Sequence, residues 1–125
     1  MILLLDAHAL LWAVVEPETL PPGTRGAIES PANDVIASAA SIWELEIKRA
    51  NDRLRYDVDL VAELDRIGVD VLPITAGDAI VAARLPFHHR DPFDRLLVAQ
   101  ASRLDATVVT RDRVFDRYGV DTLPA

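Results

Sequence analysis

Short apolar runs alternate with segments of helical spacing along the chain, and this alternation restricts the fold more than any other feature. Strands are predicted at residues 2–5, 35–37, 69–74 and 107–109, with a short final strand near 120–123. Helices are predicted at residues 8–15, 22–30, 38–50, 60–67, 76–85 and 93–104. Strands that alternate with helices favour a parallel sheet covered by helices. The prediction is therefore an α/β fold of three layers, with a central, mainly parallel sheet flanked by helices.

Length and composition set further limits on the chain. Its 125 residues, 50% of them hydrophobic, suit a single domain over residues 1–125 with a core of its own. The longest unbroken apolar stretch, residues 9–15, is far shorter than the roughly 20 residues that span a bilayer, so no membrane association is expected. The first residues lack the basic segment of a secretory signal, which predicts a cytoplasmic protein. Because there is no cysteine, any metal must bind to oxygen or imidazole.

Four carboxylates are expected to meet at one edge of this sheet. Asp6 directly follows the first predicted strand and Asp112 follows the fourth, and ligands collect at the carboxyl ends of strands in such folds. Glu44 and Asp94 lie in early turns of two helices that are entered from the same edge. Without a cation, the four acids would repel one another and raise some of their own pKa values. Mg²⁺, with Mn²⁺ as a substitute, is the predicted metal because it prefers oxygen ligands.

Each of these acids also has a purely structural interpretation. Asp6 and Asp112 are suited to cap the segments that follow them. The sequence Ser-Ile-Trp-Glu at residues 41–44 fits a capping box, which would make Glu44 structural. A metal-binding role for Glu44 requires its helix to begin earlier, near Ser38.

Other polar and aromatic residues near the acids are assigned less direct roles. Asp91 precedes a proline and is predicted to be a cap and turn residue rather than a metal ligand. His88 and His89 are predicted to lie on the surface or to form hydrogen bonds, because Mg²⁺ prefers oxygen to imidazole. Trp12 and Trp43 are predicted to anchor the core or an interface. Four arginines flank the acids and either grip phosphate groups or form ordinary surface ion pairs: Arg90, Arg95, Arg111 and Arg113.

Four segments carry the acids, and together they resemble the motifs of VapC-type PIN domains. They are residues 3–12 (LLLDAHALLW), 38–48 (SAASIWELEIK), 85–101 (LPFHHRDPFDRLLVAQA) and 109–112 (VTRD). The third segment is the most specific match, and the resemblance covers essentially the whole chain.

The resemblance implies a PIN fold and a Mg²⁺-dependent endoribonuclease that acts as the toxin of a type II toxin–antitoxin system. Its catalytic and metal-binding acids would be Asp6, Glu44, Asp94 and Asp112, with Thr110 as a nearby hydroxyl. The implied partners are an RNA substrate, a VapB-type antitoxin that inhibits the enzyme, and a second copy of the chain in a homodimer.

The antitoxin is expected to place a basic side chain near the acidic pocket and to cover an apolar groove. The net charge of −7 disfavours a general RNA-coating protein and favours a basic protein segment as partner. The groove is predicted from large apolar side chains on two helices: Leu10, Leu11, Trp12, Ile42 and Trp43.

Three other classes of protein compete with this assignment. A two-component receiver domain needs a lysine late in the chain, whereas the only lysine is Lys48. Phosphatases of the haloacid dehalogenase type need a second acid two residues after the first, where this chain has His8. A PIN scaffold that has lost catalysis and serves as a protein- or RNA-binding module is the remaining alternative, and the retention of all four acids argues against it.

Overall fold

A computed structural model describes residues 1–125 and contains one five-stranded sheet in the order β3-β2-β1-β4-β5, with every adjacent pair parallel. The predicted α/β fold with a parallel sheet between helices is confirmed. The strands are β1 (Ile2–Leu5), β2 (Asp34–Ser38), β3 (Asp70–Leu72), β4 (Thr107–Thr110) and β5 (Thr122–Pro124). The helices are α1 (Ala7–Val15), α2 (Pro22–Glu29), α3 (Ala39–Ala50), α4 (Leu60–Arg66), α5 (Ala76–Arg84) and α6 (Pro92–Leu104), and two 3-10 helices lie at Pro17–Thr19 and Arg113–Tyr118.

The central strand β1 is buried on both faces of the sheet. Leu3 and Leu5 pack into the larger hydrophobic cluster, whereas Leu4 packs into the smaller one on the opposite side. Successive side chains of a strand point to opposite faces, so this uninterrupted apolar run supplies both layers of core at once. Because β1 is the middle strand of the five, its carboxyl end, and therefore Asp6, lies at the middle of that edge of the sheet.

The third strand is shorter than predicted. It ends at Leu72 instead of continuing to Ile74. Pro73 follows directly and has no N–H to donate to a neighbouring strand. Thr75 then caps α5 by accepting a hydrogen bond from the N–H of Asp78.

The apolar groove predicted from α1 and α3 is only partly present. Leu10 and Leu11 are buried in the core and offer no surface to a partner. Trp12 and Ile42 are half-buried. Trp43, predicted as an anchor of core or interface, is not in the core, because it is 58% exposed and packs edge-on against the ring of Phe93. No helix in the structure is long and apolar enough to cross a membrane.

Candidate active site

All four acids singled out in the sequence line one cavity of about 490 Å³ at the carboxyl edge of the sheet. The cavity lies where β1 and β4, which are adjacent and parallel, reach their ends. Helices α3 and α6 supply the rest of the acidic wall. The convergence of Asp6, Glu44, Asp94 and Asp112 thus follows from the strand order, which brings segments distant in sequence to the same edge.

Asp6 lies between β1 and α1 and caps that helix while lining the cavity. Its Oδ1 accepts a hydrogen bond from the N–H of Ala9 at 2.8 Å. Burial raises the pKa of Asp6 above its ordinary value, and the hydrogen bonds from Ala9 and from the Thr110 side chain partly offset that rise. Thr110 therefore lies near the site as the resemblance implied. The capping interpretation and the pocket location are both correct for Asp6.

Glu44 is not part of a capping box. Helix α3 begins at Ala39 with Ser38 as its cap, which is the earlier start that a pocket location of Glu44 requires. Glu44 consequently lies in the second turn, where its buried side chain faces the cavity. Its Oε2 accepts a hydrogen bond from Nζ of Lys48 at 2.7 Å, one helical turn further along. The chain's single lysine is thereby brought to the cavity, a location that the sequence analysis did not predict.

Asp94 lies in the first turn of α6 and is close to two other carboxylates. Oxygen atoms of Glu44, Asp91 and Asp94 all lie within 4.8 Å of one another. Burial, followed by the charges of Asp91 and Glu44, raises the pKa of Asp94 to about 7, and the hydrogen bond with His89 only partly opposes this. Such a carboxylate is energetically costly to ionise in the absence of a cation.

Asp91 has the predicted capping role and a second one. Its Oδ1 accepts hydrogen bonds from the N–H groups of Phe93 at 2.8 Å and Asp94 at 3.4 Å, as expected of a helix N-cap. The same carboxylate lines the cavity and belongs to the acidic cluster with Glu44 and Asp94. The sequence alone cannot separate helix capping from a place in the acidic cluster, because Asp91 caps its helix at the edge of the cavity.

Asp112 and His89 complete the acidic side of the cavity. Asp112 caps the 3-10 helix that follows β4 by accepting a hydrogen bond from the N–H of Val114 at 2.9 Å. Nε2 of His89 lies 2.7 Å from Oδ2 of Asp94 and 3.7 Å from Oδ2 of Asp112, so the imidazole links the two acids. The predicted hydrogen-bonding role of His89 is confirmed. His88 instead packs edge-on against the ring of Tyr118.

Of the four arginines that flank the acids in sequence, only Arg111 lines the cavity. Its guanidinium lies 4.1 Å from the ring of Trp12, whereas Arg90 and Arg113 are exposed and do not line the cavity. Arg95 is buried and donates hydrogen bonds to backbone carbonyls, so it neither grips phosphate nor forms a surface ion pair, contrary to both expectations. The cavity thus combines a cluster of carboxylates with two basic side chains that can approach an anionic ligand, Lys48 and Arg111.

Comparisons with known proteins agree with this geometry. The profile of the PIN domain family matches residues 3–121. Ribonuclease VapC22 of Mycobacterium tuberculosis is 32% identical over 113 residues, which cover 88% of this chain and 86% of that protein.

Solved structures with the same fold include the crystal structure of VapBC2 from Rickettsia felis bound to a promoter DNA fragment. It has a TM-score of 0.72 at 16% identity and covers 99% of this chain and 98% of its own. The DNA-bound VapBC of Salmonella typhimurium has a TM-score of 0.67 at 17% identity, with the same coverage of 99% and 98%.

Proposed function

The chain belongs to the PIN domain family as a VapC-type member, and from this premise we propose that it is a metal-dependent endoribonuclease, the toxin of a type II toxin–antitoxin pair. We further propose that residues 1–125 form a single PIN domain. The observation that carries the proposed function is the convergence of Asp6, Glu44, Asp94 and Asp112 on one cavity. These are the acids of the four family-like segments: Asp6 and Asp112 follow β1 and β4, and Glu44 and Asp94 lie on α3 and α6.

The donor set of the cavity fits a hard divalent cation. Its acidic ligands are carboxylate oxygens, which Mg²⁺ and Mn²⁺ prefer. Burial raises the pKa values of Asp6 and Asp94 because it disfavours their charged forms, and a cation would offset that cost. We assign Mg²⁺, or Mn²⁺ in its place, to Asp6, Glu44, Asp94 and Asp112. When bound, the cation supplies positive charge that polarises the phosphodiester and acidifies water.

The remaining chemistry is assigned to side chains of the cavity. Lys48 and Arg111 line it and are suited to hold the RNA phosphate against the acidic wall. A carboxylate of the cluster takes a proton from the attacking water, whose oxygen forms the new bond to phosphorus as the bond to the opposite ester oxygen breaks. The departing oxygen leaves as an alkoxide and takes a proton from solvent, which completes the hydrolysis. His89, hydrogen-bonded to Asp94, helps to fix the orientation of that carboxylate.

A VapB-type antitoxin is the proposed inhibitor of this enzyme. Structural neighbours of the chain were solved as VapBC assemblies. The acidic cavity offers a site for a basic side chain of such a partner. We further propose a homodimer, which light scattering of the purified chain tests directly, and a cytoplasmic location, where cellular RNA is accessible.

The alternative function is a catalytically silent PIN scaffold that binds protein or RNA. Such a module has no need for carboxylates that are buried at an energetic cost, yet Asp94 is held in that state. The presence of all four acids in one cavity favours the enzyme. Cleavage of RNA decides between the two functions.

The proposal is tested by mapping RNA 5′ ends in cells after brief induction of the chain. The intact protein is expected to create new 5′ ends, whereas Asp6→Asn is expected to create none. Asparagine is as good an N-cap as aspartate, so this variant keeps the start of α1. The matched control is Asp34→Asn, an exposed acid at the amino end of β2, which should cleave like the intact chain. The same new ends with Asp6→Asn, or none with the intact chain, would contradict the proposal.

A further inference from the structure

The loop between α5 and α6, residues 85–91, delivers two side chains to the acidic cavity. His89 and Asp91 both line that cavity. Residues 86–90 belong to no helix or strand, and no backbone-to-backbone hydrogen bond involves them. Backbone polar groups away from regular structure need partners elsewhere. Side chains of two other elements supply those partners.

Arg95 is the first of these side chains. It lies on α6 next to Asp94, is only 6% exposed, and has no carboxylate within ion-pair distance. Its guanidinium donates to the carbonyl oxygens of Leu85 at 2.8 Å, Pro86 at 2.9 Å and His89 at 3.1 Å. A buried cation is costly unless it is paired or fully hydrogen-bonded. Here the carbonyl dipoles of the loop provide that compensation.

Tyr118 is the second. Its hydroxyl donates to the carbonyl oxygen of Pro86 at 2.8 Å and accepts a hydrogen bond from the N–H of His89 at 2.9 Å. The backbone of His89 is therefore held at its carbonyl by Arg95 and at its N–H by Tyr118. The imidazole of the same residue contacts Asp94 and Asp112.

We propose that Arg95 and Tyr118 form a clamp that fixes loop 85–91, so that His89 holds Asp94 in the orientation needed by the acidic cavity. The two residues are positioning residues, because neither lines the cavity. The construction of the site is thereby assigned to two side chains outside it, which goes beyond the proposed function. The metal-binding consequence of the clamp rests on that function, whereas its consequence for the loop does not.

The shape of the guanidinium is essential to the clamp. Its planar fork reaches several carbonyls at once, whereas the compact ammonium of a lysine carries the same charge without that geometry. Arg95→Lys therefore separates geometry from charge. Tyr118→Phe removes only the hydroxyl and leaves the ring that packs against His88. Arg103→Lys is the matched control, because Arg103 lies on the same helix and makes a forked contact with Asp78, away from the cavity.

The experiment measures two properties of each purified variant: the hydrogen-exchange rate of the His89 amide and the affinity for Mn²⁺. Arg95→Lys and Tyr118→Phe are each expected to speed exchange at His89 and to weaken Mn²⁺ binding about tenfold, the usual effect of losing residues that orient a ligand. Arg103→Lys should change neither property. In a His89→Ala background, Arg95→Lys should weaken Mn²⁺ binding no further, within about twofold.

The exchange rate and the Mn²⁺ affinity can each overturn the clamp. Exchange at His89 that is unchanged in a folded Arg95→Lys or Tyr118→Phe protein would overturn the clamp. So would Mn²⁺ affinities that fall equally in Arg95→Lys and Arg103→Lys, or that fall additively with His89→Ala, because a purely structural arginine behaves in that way. If Arg95→Lys fails to fold, Tyr118→Phe supplies the test. If the unaltered chain does not bind Mn²⁺, the proposed function fails, while the exchange rates still decide the clamp.

Discussion

Asp94 carries a cost to folding, because its carboxyl group is buried close to two other acids. Its pKa is raised from 3.8 to about 7, first by burial and then by the charges of Asp91 and Glu44. A carboxyl whose folded-state pKa lies above its unfolded value destabilises the fold as pH rises between the two values. Above about pH 7, the protein without metal therefore holds a negative charge that is costly to bury.

We accordingly expect Asp94→Asn to abolish RNA cleavage and to raise the melting temperature of the metal-free protein at pH 8 by a few degrees. The substitution keeps the size of the side chain and removes the charge that is costly to bury. Mn²⁺ should raise the melting temperature of the unaltered chain, because it binds only the folded state, and should raise that of the variant less. Melting curves with EDTA or Mn²⁺ measure both effects. A folded variant that cleaves at the original rate would exclude Asp94 from the mechanism.

The sequence predicts which acids meet, but it does not predict what surrounds them. The positions of Asp6 and Asp112 follow from the strands that precede them, and those strands can be recognised in the sequence as apolar runs. The contact between His89 and Asp94 depends instead on how an irregular loop is held by Tyr118 from a distant segment. Arg95 is a second example. Its neighbours in sequence indicate an arginine that binds phosphate or lies on the surface, and only the folded structure shows that it is buried.

At the scale of elements, α5 and α6 are joined by a buried acid with several partners. Asp78 is 2% exposed, accepts two hydrogen bonds from Arg103 at 2.8 and 3.1 Å, and receives a third from Gln100 at 3.3 Å. The same carboxylate accepts a hydrogen bond from the N–H of Thr75 at the start of α5. The hydrogen bonds from Arg103 are the largest cause that lowers the pKa of Asp78 to about 2.

Asp78→Asn is expected to lower the free energy of unfolding at pH 7 by roughly 2 kcal/mol, the value that corresponds to this pKa shift. The folded-state pKa lies below the unfolded value, so the stabilisation is complete above about pH 5 and is lost as pH falls toward 2. The difference between the two proteins should therefore shrink below pH 5. Urea unfolding at several pH values measures it, with the exposed Asp65→Asn as control. A difference that stays constant from pH 7 to 3 would show that the charge of Asp78 is not what stabilises the contact.

Most element boundaries were predictable because they depend on neighbouring residues. Helix α6 starts after Asp91 and Pro92, which signal a cap and a first helical position in the sequence itself. The end of β3 was missed because apolar residues continue past the strand to Ile74. The strand stops where its pairing with β2 ends, at Leu72, and Pro73 cannot extend that pairing because it has no N–H to donate.

At the scale of the whole molecule, the net charge of −7 and the acidic cavity act against a polyanionic substrate. In the proposed enzyme, attraction of RNA must therefore be local, through side chains such as Lys48 and Arg111 together with the proposed cation. A basic protein segment meets no such opposition, and electrostatic complementarity accelerates its association. The charge distribution thus favours an inhibitor that competes with substrate at the cavity.

The surface for that inhibitor is expected to include Trp43, which is exposed beside Phe93 on the helices that carry Glu44 and Asp94. Coexpression of this chain with the neighbouring upstream reading frame, followed by purification through a tag on this chain, should recover a complex that does not cleave RNA. Trp43→Asp should reduce recovery of the partner at least tenfold without reducing cleavage by the free enzyme, because exposed aromatic residues often anchor interfaces. Val61→Asp is the control, because the side chain of Val61 is about as exposed as that of Trp43, at 55%, but lies on α4. Recovery of this chain alone, still able to cleave RNA although its neighbour is expressed, would contradict the proposed partner. If both substitutions reduce recovery of the partner equally, Trp43 is not part of the interface.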